Sequence, residues 1–310
     1  MDTQFLIEFL HASVRVATPI AFVAIGAAFS ERSGVYAMGL EGYMLISCFT
    51  SVAATVMTGS LIVGISAGII SGMVASAIVA FSSLYLGSEQ VLTALSINVF
   101  ALGLTGFLQR LIWGTGTGGL PLIDPLKNIP FPLLSAIPFI GPIIFNQPIL
   151  TYMVYLTIPM AWWVMLKTKW GLQLRAVGEH PRAVDTVGLP VARTRFLAVI
   201  FSGALAAMGG AVLSLQQVRT FTEGMTNGRG WLGLIACIFG RWNPLGAAGA
   251  AFLFGAAEAL QLRVQMSSAG ADISSYFILM LPHLLALTLI LIIGKAARHP
   301  AATGVYYTKE

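Results

Sequence analysis

The chain has 310 residues, of which 57% are hydrophobic and 9% charged, with a net charge of +5. Soluble domains carry roughly a quarter charged residues, so this composition cannot supply a polar surface for a water-soluble fold of this length. The basic residues form no runs that would make a nucleic-acid groove, and Cys48 and Cys237 both lie in apolar stretches, which argues against a disulfide framework.

The charges are segregated along the chain. No Asp, Glu, Lys or Arg occurs between Glu41 and Glu89, Glu89 and Arg110, Lys127 and Lys167, Arg195 and Arg219, or Asp272 and Lys295. A bilayer core takes about 20 apolar helical residues per crossing, so the first gap holds two crossings and each of the others one. The expected architecture is an all-α, polytopic membrane helix bundle forming a single domain over 1–310, with about eight or nine membrane segments, some broken or half-spanning. In chain order they fall near 5–29, 36–58, 60–85, 89–112, 149–166, 196–217, 229–241, 245–262 and 275–294. The start, MDTQFLIEFLHASVR, lacks a basic leading region and carries Glu8 and Arg15, unlike a cleavable signal peptide.

Small residues spaced by four mark helix-packing faces. They are Gly64, Gly68 and Gly72 in the third segment, Gly203, Ala207 and Ala211 in the sixth, and Ala247, Ala251, Gly255 and Ala259 in the eighth. Between the fourth and fifth segments runs a long Gly- and Pro-rich loop, 114–148, with an apolar stretch FPLLSAIPFIGPIIF. Its Gly114, Gly116 and Gly119 match G-x-G-x-x-G but follow a membrane helix, not a strand, and precede Pro121, so they do not make a dinucleotide site.

Two places read as broken helices. SERSGVYAMGLEGYML, 30–45, is interrupted by Gly34, Gly39 and Gly42. EGMTNGRGWLGLIACIFGRWNP, 223–244, has an apolar centre of about 10 residues, which as a helix reaches only ~15 Å, half a bilayer. Irregular backbone at membrane depth is tolerated only when buried in protein or lining a cavity, and a pair of such segments points to a solute path. Ordinary surface turns remain the competing reading. Four polar residues fall in or near the apolar spans: Glu41, Asn98, Glu258 and His283. Glu41 reads as a hydrogen-bond acceptor for loop backbone, with solute contact as the alternative. Asn98 fits either role. Glu258 is expected to pair with Arg263, and His283 reads as a satisfied core histidine rather than a proton carrier.

The segment 167–195 carries Lys167, Lys169, Arg175, Arg182, Arg193 and Arg195 against Glu179 and Asp185, and this excess of Lys and Arg reads as cytoplasmic. The tail, with Lys295, Arg298 and Lys309, reads likewise. The chain then leaves after residue 217, returns near Arg241, leaves after Leu262 and returns after Ile293, which puts the 114–148 loop outside and Glu89 inside and leaves the side of the N-terminus open. Within 167–195, Pro181 to Val187 reads as a short helix stopped at Gly188, with Pro at its first position and Gly just past its end. Ala183, Val184 and Val187 give it a small apolar face. So short a helix is unstable alone in water and must dock on something, either its own protein or another chain.

No nucleotide loop, H-E-x-x-H or G-x-S-x-G occurs, and the four histidines are scattered. No catalytic residues, metal site or cofactor are expected, so the chain reads as a transport subunit and not an enzyme. It also lacks a chain of carboxylates for ion coupling, which favours a subunit driven by a partner over a secondary transporter.

Four stretches carry a family resemblance. RAVGEHPRAVDTVGLPVARTRFLAVIFSGALAAMGGA, 175–211, resembles the cytoplasmic loop and following span of ABC importer permeases of the branched-chain amino acid, ribose and nucleoside type. ERSGVYAMGLEGYML, 31–45, resembles the ERSG…GLEG signature of the nucleoside and simple-sugar branch, and FTEGMTNGRGWLGLIACIFGRWNPLGA, 221–247, resembles its GxTxGRG…IFGxWxP region. IPFIGPIIFNQPILTY, 137–152, resembles its loop ahead of the fifth span. The N-terminus and C-terminal tail are least similar. The resemblance implies a permease moving nucleosides across a bacterial inner membrane by alternating access, with a simple sugar as the alternative cargo and an ion-coupled secondary transporter as a more distant one. Implied partners are a second related permease, an ATPase with two nucleotide-binding modules and a solute-binding lipoprotein; no nucleic acid is implied. It assigns coupling to the ATPase to Glu179, His180, Pro181, Arg182, Ala183, Val184, Asp185 and Gly188, and places both broken regions near the solute path, where Tyr36, Glu41, Asn98 and Phe100 are the expected lining.

The orientation has a direct test. Alkaline phosphatase fused after residue 130 is expected to be active and fused after residue 180 inactive; the opposite pattern contradicts it.

Overall fold

A computed structural model describes residues 3–114, 121–132, 134–266, 277–278, 280–293 and 299–307. Several features of the sequence fall outside these residues: Gly116 and Gly119, the start of the last membrane segment at 275–276, and the tail cations Lys295, Arg298 and Lys309.

Seven of the described helices are long and apolar enough to cross a membrane. In chain order α1 is Thr3–Arg32, α2 Leu40–Thr58, α3 Leu61–Tyr85 and α4 Gln90–Trp113. Outside the bundle lie a two-stranded antiparallel pair, Asn128–Pro130 with Asn146–Pro148, and the short α5, Ile140–Ile144. Then come α6 (Ile149–Lys167), the loop helices α7 (Lys169–Glu179) and α8 (Pro181–Thr186), and α9 (Val191–Ala211), which continues as a π-helical stretch, Val212–Val218. The half-length α10 is Arg229–Phe239, α11 is Pro244–Met266 and α12 is Leu281–Ile293.

α1 runs through the centre of the bundle, packed on α9, α10 and α11, while α2 is held between α3, α4 and α9. The outer helices α3, α4 and α6 turn large apolar side chains such as Val99, Phe107 and Leu156 outward. The contacts of α1 place the N-terminus relative to the loops. His11 lies against the Asn146 carbonyl and Glu8 pairs with Arg263, whereas the other end of α1 meets the end of α7, where a Cβ on Gly178 would overlap the Arg32 carbonyl. The N-terminus therefore lies at the same end of the bundle as the 121–148 loop, opposite the Lys- and Arg-rich loop.

The small-residue faces are the contact faces. Gly72 and Gly203 bring α3 and α9 so close that a Cβ on either would overlap the facing helix. Gly64 and Gly68 admit Thr55, Ser51 and Ser47 of α2, and Gly255 admits the backbone of α1 at Ala17. Apolar side chains gain nothing by leaving lipid for protein, so close backbone approach and polar contacts hold such helices together. The Ser47 hydroxyl donates to the Ala207 carbonyl at 2.6 Å, and Thr50 and Ser71 share a 2.7 Å hydrogen bond.

Two expectations are corrected. Glu258 does not pair with Arg263. Residues five apart on a helix point well away from each other, unlike pairs at three or four; Arg263 turns to Glu8 at 3.5 Å and lies over the Phe5 ring. His283 is not a core histidine, because it lies on the exposed face of α12.

Gly203→Val is expected to destabilise the protein by ~1–3 kcal/mol through overpacking, visible as a lower melting temperature in detergent. Gly249→Val, where an added Cβ meets nothing within 4 Å, is expected to leave it unchanged.

Candidate functional site

The two broken segments meet inside the bundle. The chain leaves α1 at Arg32 and turns through 33–39, with Gly34 at φ +89°, a conformation that favours glycine. The turn is held by Ser30, whose hydroxyl donates to the Val35 carbonyl at 3.0 Å, and by Ser33, whose hydroxyl donates back to the Ser30 carbonyl at 2.6 Å. From the other side α4 supplies two amide side chains. Gln90 Oε1 accepts the Tyr36 N–H at 3.2 Å. Asn98 Oδ1 accepts the Gly42 N–H at 2.8 Å while its Nδ2 donates to the Met38 carbonyl at 2.8 Å.

Glu41, in the first turn of α2, reaches across to the second broken segment. Its carboxylate accepts the Gly228 N–H at 2.9 Å and the Gly230 N–H at 2.7 Å. These amides belong to the amino end of α10, where no helical carbonyl is available to them and the helix dipole is positive. A Cβ on Gly230 would lie 2.5 Å from Glu41 Oε2 and 2.6 Å from Glu41 Cα, so glycine is what permits the approach. Beside it, Arg229 forms an ion pair with Glu258 of α11. Glu258 is buried and Arg229 partly buried, so the pair sits at the edge of the packed helices.

The other end of α10 is fixed at the inner end of the bundle. Arg241 and Trp242 both have φ +54°, a costly conformation for residues with side chains. Trp242 Nε1 donates to the buried Glu31 carboxylate, and Arg32 donates to the Trp242 carbonyl at 3.2 Å and the Arg241 carbonyl at 3.3 Å. His299 stacks on Trp242 with ring centres 4.5 Å apart, and burial lowers its pKa, favouring the neutral ring.

Of the residues singled out as path lining, Tyr36, Glu41 and Asn98 converge on the 34–42 segment. Phe100 does not join them; it is 56% exposed on the outer side of α4. Gln90, Arg229, Glu31 and Trp242 complete the site and were not singled out. The one sequence signal for Arg229 is its place between Gly228 and Gly230.

At the inner end Glu179 closes α7, His180 forms the junction, Pro181 opens α8 and Gly188, at φ +80°, follows it. Arg182 and Ala183 are exposed, whereas Asp185 accepts the Tyr307 hydroxyl at 2.9 Å. The single apolar face expected of this helix is divided. Val184 is buried with Val177 and Val191, while Ala183 and Val187 (73% exposed) face outward. The reason is helical spacing: Ala183 and Val187, four apart, share the outward face, while Val184 lies about a quarter-turn round against its own protein. Outside, Leu172, Ala176, Ala183, Val187 and Leu189 line an apolar groove of about 630 Å³.

The profile of the family described as "Branched-chain amino acid transport system / permease component" matches residues 9–294. A guanosine ABC transporter permease protein of Bacillus subtilis is 35% identical over 99% of this chain and 98% of its own. A nucleoside ABC transporter permease protein of Lactococcus lactis is 34% identical, covering 94% of each chain. A putative glucose ABC transporter permease protein of Haloferax volcanii is 34% identical over 87% of this chain and 81% of its own. Among solved structures, an inward-facing putative metal-chelate type ABC transporter superposes with a TM-score of 0.52, at 18% identity, covering 92% of this chain and 85% of that one. At that identity the likeness concerns the fold alone.

Glu41→Gln keeps an acceptor oxygen for one of the two amides and turns an NH₂ group toward the other N–H donor. The expected cost is ~1–3 kcal/mol for the one unsatisfied amide, measured as a lower melting temperature, with Glu41→Asp intermediate.

Proposed function

Since the chain belongs to the branched-chain amino acid transport permease family, we propose that it is the membrane-embedded permease subunit of an ATP-driven ABC importer for nucleosides. The observation that carries the cargo is the match to a guanosine permease along essentially the whole of both chains, broken segments included. ATP hydrolysis belongs to a separate ATPase with two nucleotide-binding modules. A second related permease completes the membrane part, a solute-binding lipoprotein delivers the nucleoside, and the assembly sits in the bacterial cytoplasmic membrane.

The coupling segment is Glu179 to Gly188. Ala183 and Val187 present apolar surface beside the groove along α7 and α8, which suits docking by burial with few charges. When the ATPase modules close, α8 moves with them and the two permeases rock about the solute path. Tyr36, Glu41 and Asn98 lie at the junction of the broken segments, which would border that path, and Phe100 adds aromatic surface on the outward side of α4. The polar atoms of Glu41 and Asn98 are engaged with backbone. Their part is therefore to shape the passage, leaving its wall apolar enough for a purine or pyrimidine ring. A simple sugar is the second reading, favoured by the glucose-named relative.

In proteoliposomes holding the assembled transporter, guanosine uptake should require ATP and be competed by other nucleosides but not by glucose; competition by glucose alone favours the sugar reading. Ala183→Asp should cut uptake at least about tenfold, the scale of a central interface residue, without lowering the melting temperature. Normal uptake in that variant contradicts the coupling assignment. Val184→Asp is a poorer probe, because Val184 is buried in its own protein.

A further inference from the structure

The segment 299–307 lies beyond residues 9–294, which the family profile matches, yet it is threaded through the inner end of the bundle. It touches four elements that carry different duties. The Ala302 N–H donates to the Gly178 carbonyl at 2.9 Å, and the Ala301 N–H donates to the Glu179 carboxylate at 3.2 Å, both at the end of α7. The Gly304 N–H donates to the Gly34 carbonyl at 3.0 Å in the first broken segment. The Tyr307 hydroxyl donates to Asp185 of α8, and its ring packs on the Val177, Val184 and Val191 cluster.

Arg195 of α9 locks this arrangement. It is 1% exposed, and its guanidinium donates to carbonyls of two different segments: Ser33 at 3.1 Å, Val305 at 2.8 Å and Ala302 at 3.3 Å. A buried cation is costly unless its donors are met, and the planar five-donor fork of arginine can meet several carbonyls at once where lysine cannot. The fit around it is close. A Cβ on Gly34 would lie 2.8 Å from Arg195 Nη2, and one on Gly304 would overlap the Tyr36 ring.

A continuous line of contacts results. It runs from α8 through Tyr307 to the tail, from the tail through Gly304 and Arg195 to 33–36, and from there into α2 and the Glu41 contact with α10. We propose that the 299–307 strap, clamped by Arg195, transmits movement of α8 to the broken segments, which makes Arg195, Gly304 and Tyr307 positioning residues for ATP-driven transport. This rests on the transporter reading above. Local docking of α8 needs only Val184 on its own cluster. The strap adds a second attachment that reaches the path, and coupling between distant sites travels through such contiguous contacts.

The test uses the complete transporter, with its ATPase and binding protein, in proteoliposomes loaded with ATP. The variants are Tyr307→Phe, which removes the bond to Asp185 while keeping the ring, and Gly304→Val, which wedges the strap away from Tyr36. Arg195→Lys removes the fork and keeps the charge. ATP hydrolysis and radiolabelled guanosine uptake are measured in the same vesicles and normalised to assembled complex. Uptake per ATP hydrolysed should fall about 2- to 30-fold in Tyr307→Phe and Gly304→Val, the range expected for residues on a coupling route, with hydrolysis retained. In Arg195→Lys the same ratio should fall at least as far in whatever complex assembles. An unchanged ratio in assembled Tyr307→Phe and Gly304→Val overturns the proposal, as does a loss of uptake and hydrolysis together, which would make the strap a brace only. Absence of ATP-driven guanosine uptake in the unmodified transporter is a different result: it overturns the transporter reading, and the strap's role with it.

Discussion

The Glu41 carboxylate lies where a helix begins inside an apolar bundle. The first amides of any helix lack intrahelical acceptors, and left without a partner inside a packed bundle each costs ~1–3 kcal/mol. Glu41 accepts two of them, from Gly228 and Gly230, and adds a negative charge where the dipole of α10 is positive. A helix of eleven residues can therefore start midway through the membrane.

Much of the surrounding structure follows from placing backbone against backbone. Gly230 lets α10 reach Glu41, while the amide of Asn98 closes the first segment from the α4 side. The charge next to the clamp is answered locally, Arg229 pairing with Glu258 on α11. This pair ties α10 to α11 as the Glu41 carboxylate ties it to α2. Its inner end is held by Glu31 and Arg32 on the strained Arg241–Trp242 turn. The short helix is thus held at both ends, by Glu41 at one and by Glu31 and Arg32 at the other.

The sequence makes the backbone features legible because they are written in glycine and in gaps between charges. The broken segments, the small-residue faces of α3, α9 and α11 and the cytoplasmic loop are all visible that way, and Glu41 reads as an acceptor for loop backbone. Side-chain partners are less visible. Glu258 and Arg263 look paired along the chain but point apart on the helix, and Arg229, the actual partner, lies 29 residues away. Ala183, Val184 and Val187 look like one face, but Val184 lies about a quarter-turn round against its own protein. Arg195 gives no hint of its role, because its acceptors are backbone carbonyls 107 to 162 positions distant, which no residue type advertises. The place of the N-terminus relative to the loops stays open in the sequence for a related reason: it is decided by contacts of His11 and Glu8 with residues far along the chain.

The central claim, that a carboxylate seals the amino end of a half-spanning helix, can be read from amide hydrogen exchange at Gly228 and Gly230. In the unmodified protein both amides should exchange as slowly as those in the interior of α10. In Glu41→Ala, which removes both acceptor oxygens, they should become fast while the interior amides of α10 remain slow. Rapid exchange at Gly228 and Gly230 in the unmodified protein, or equal protection in the two proteins, would contradict the account.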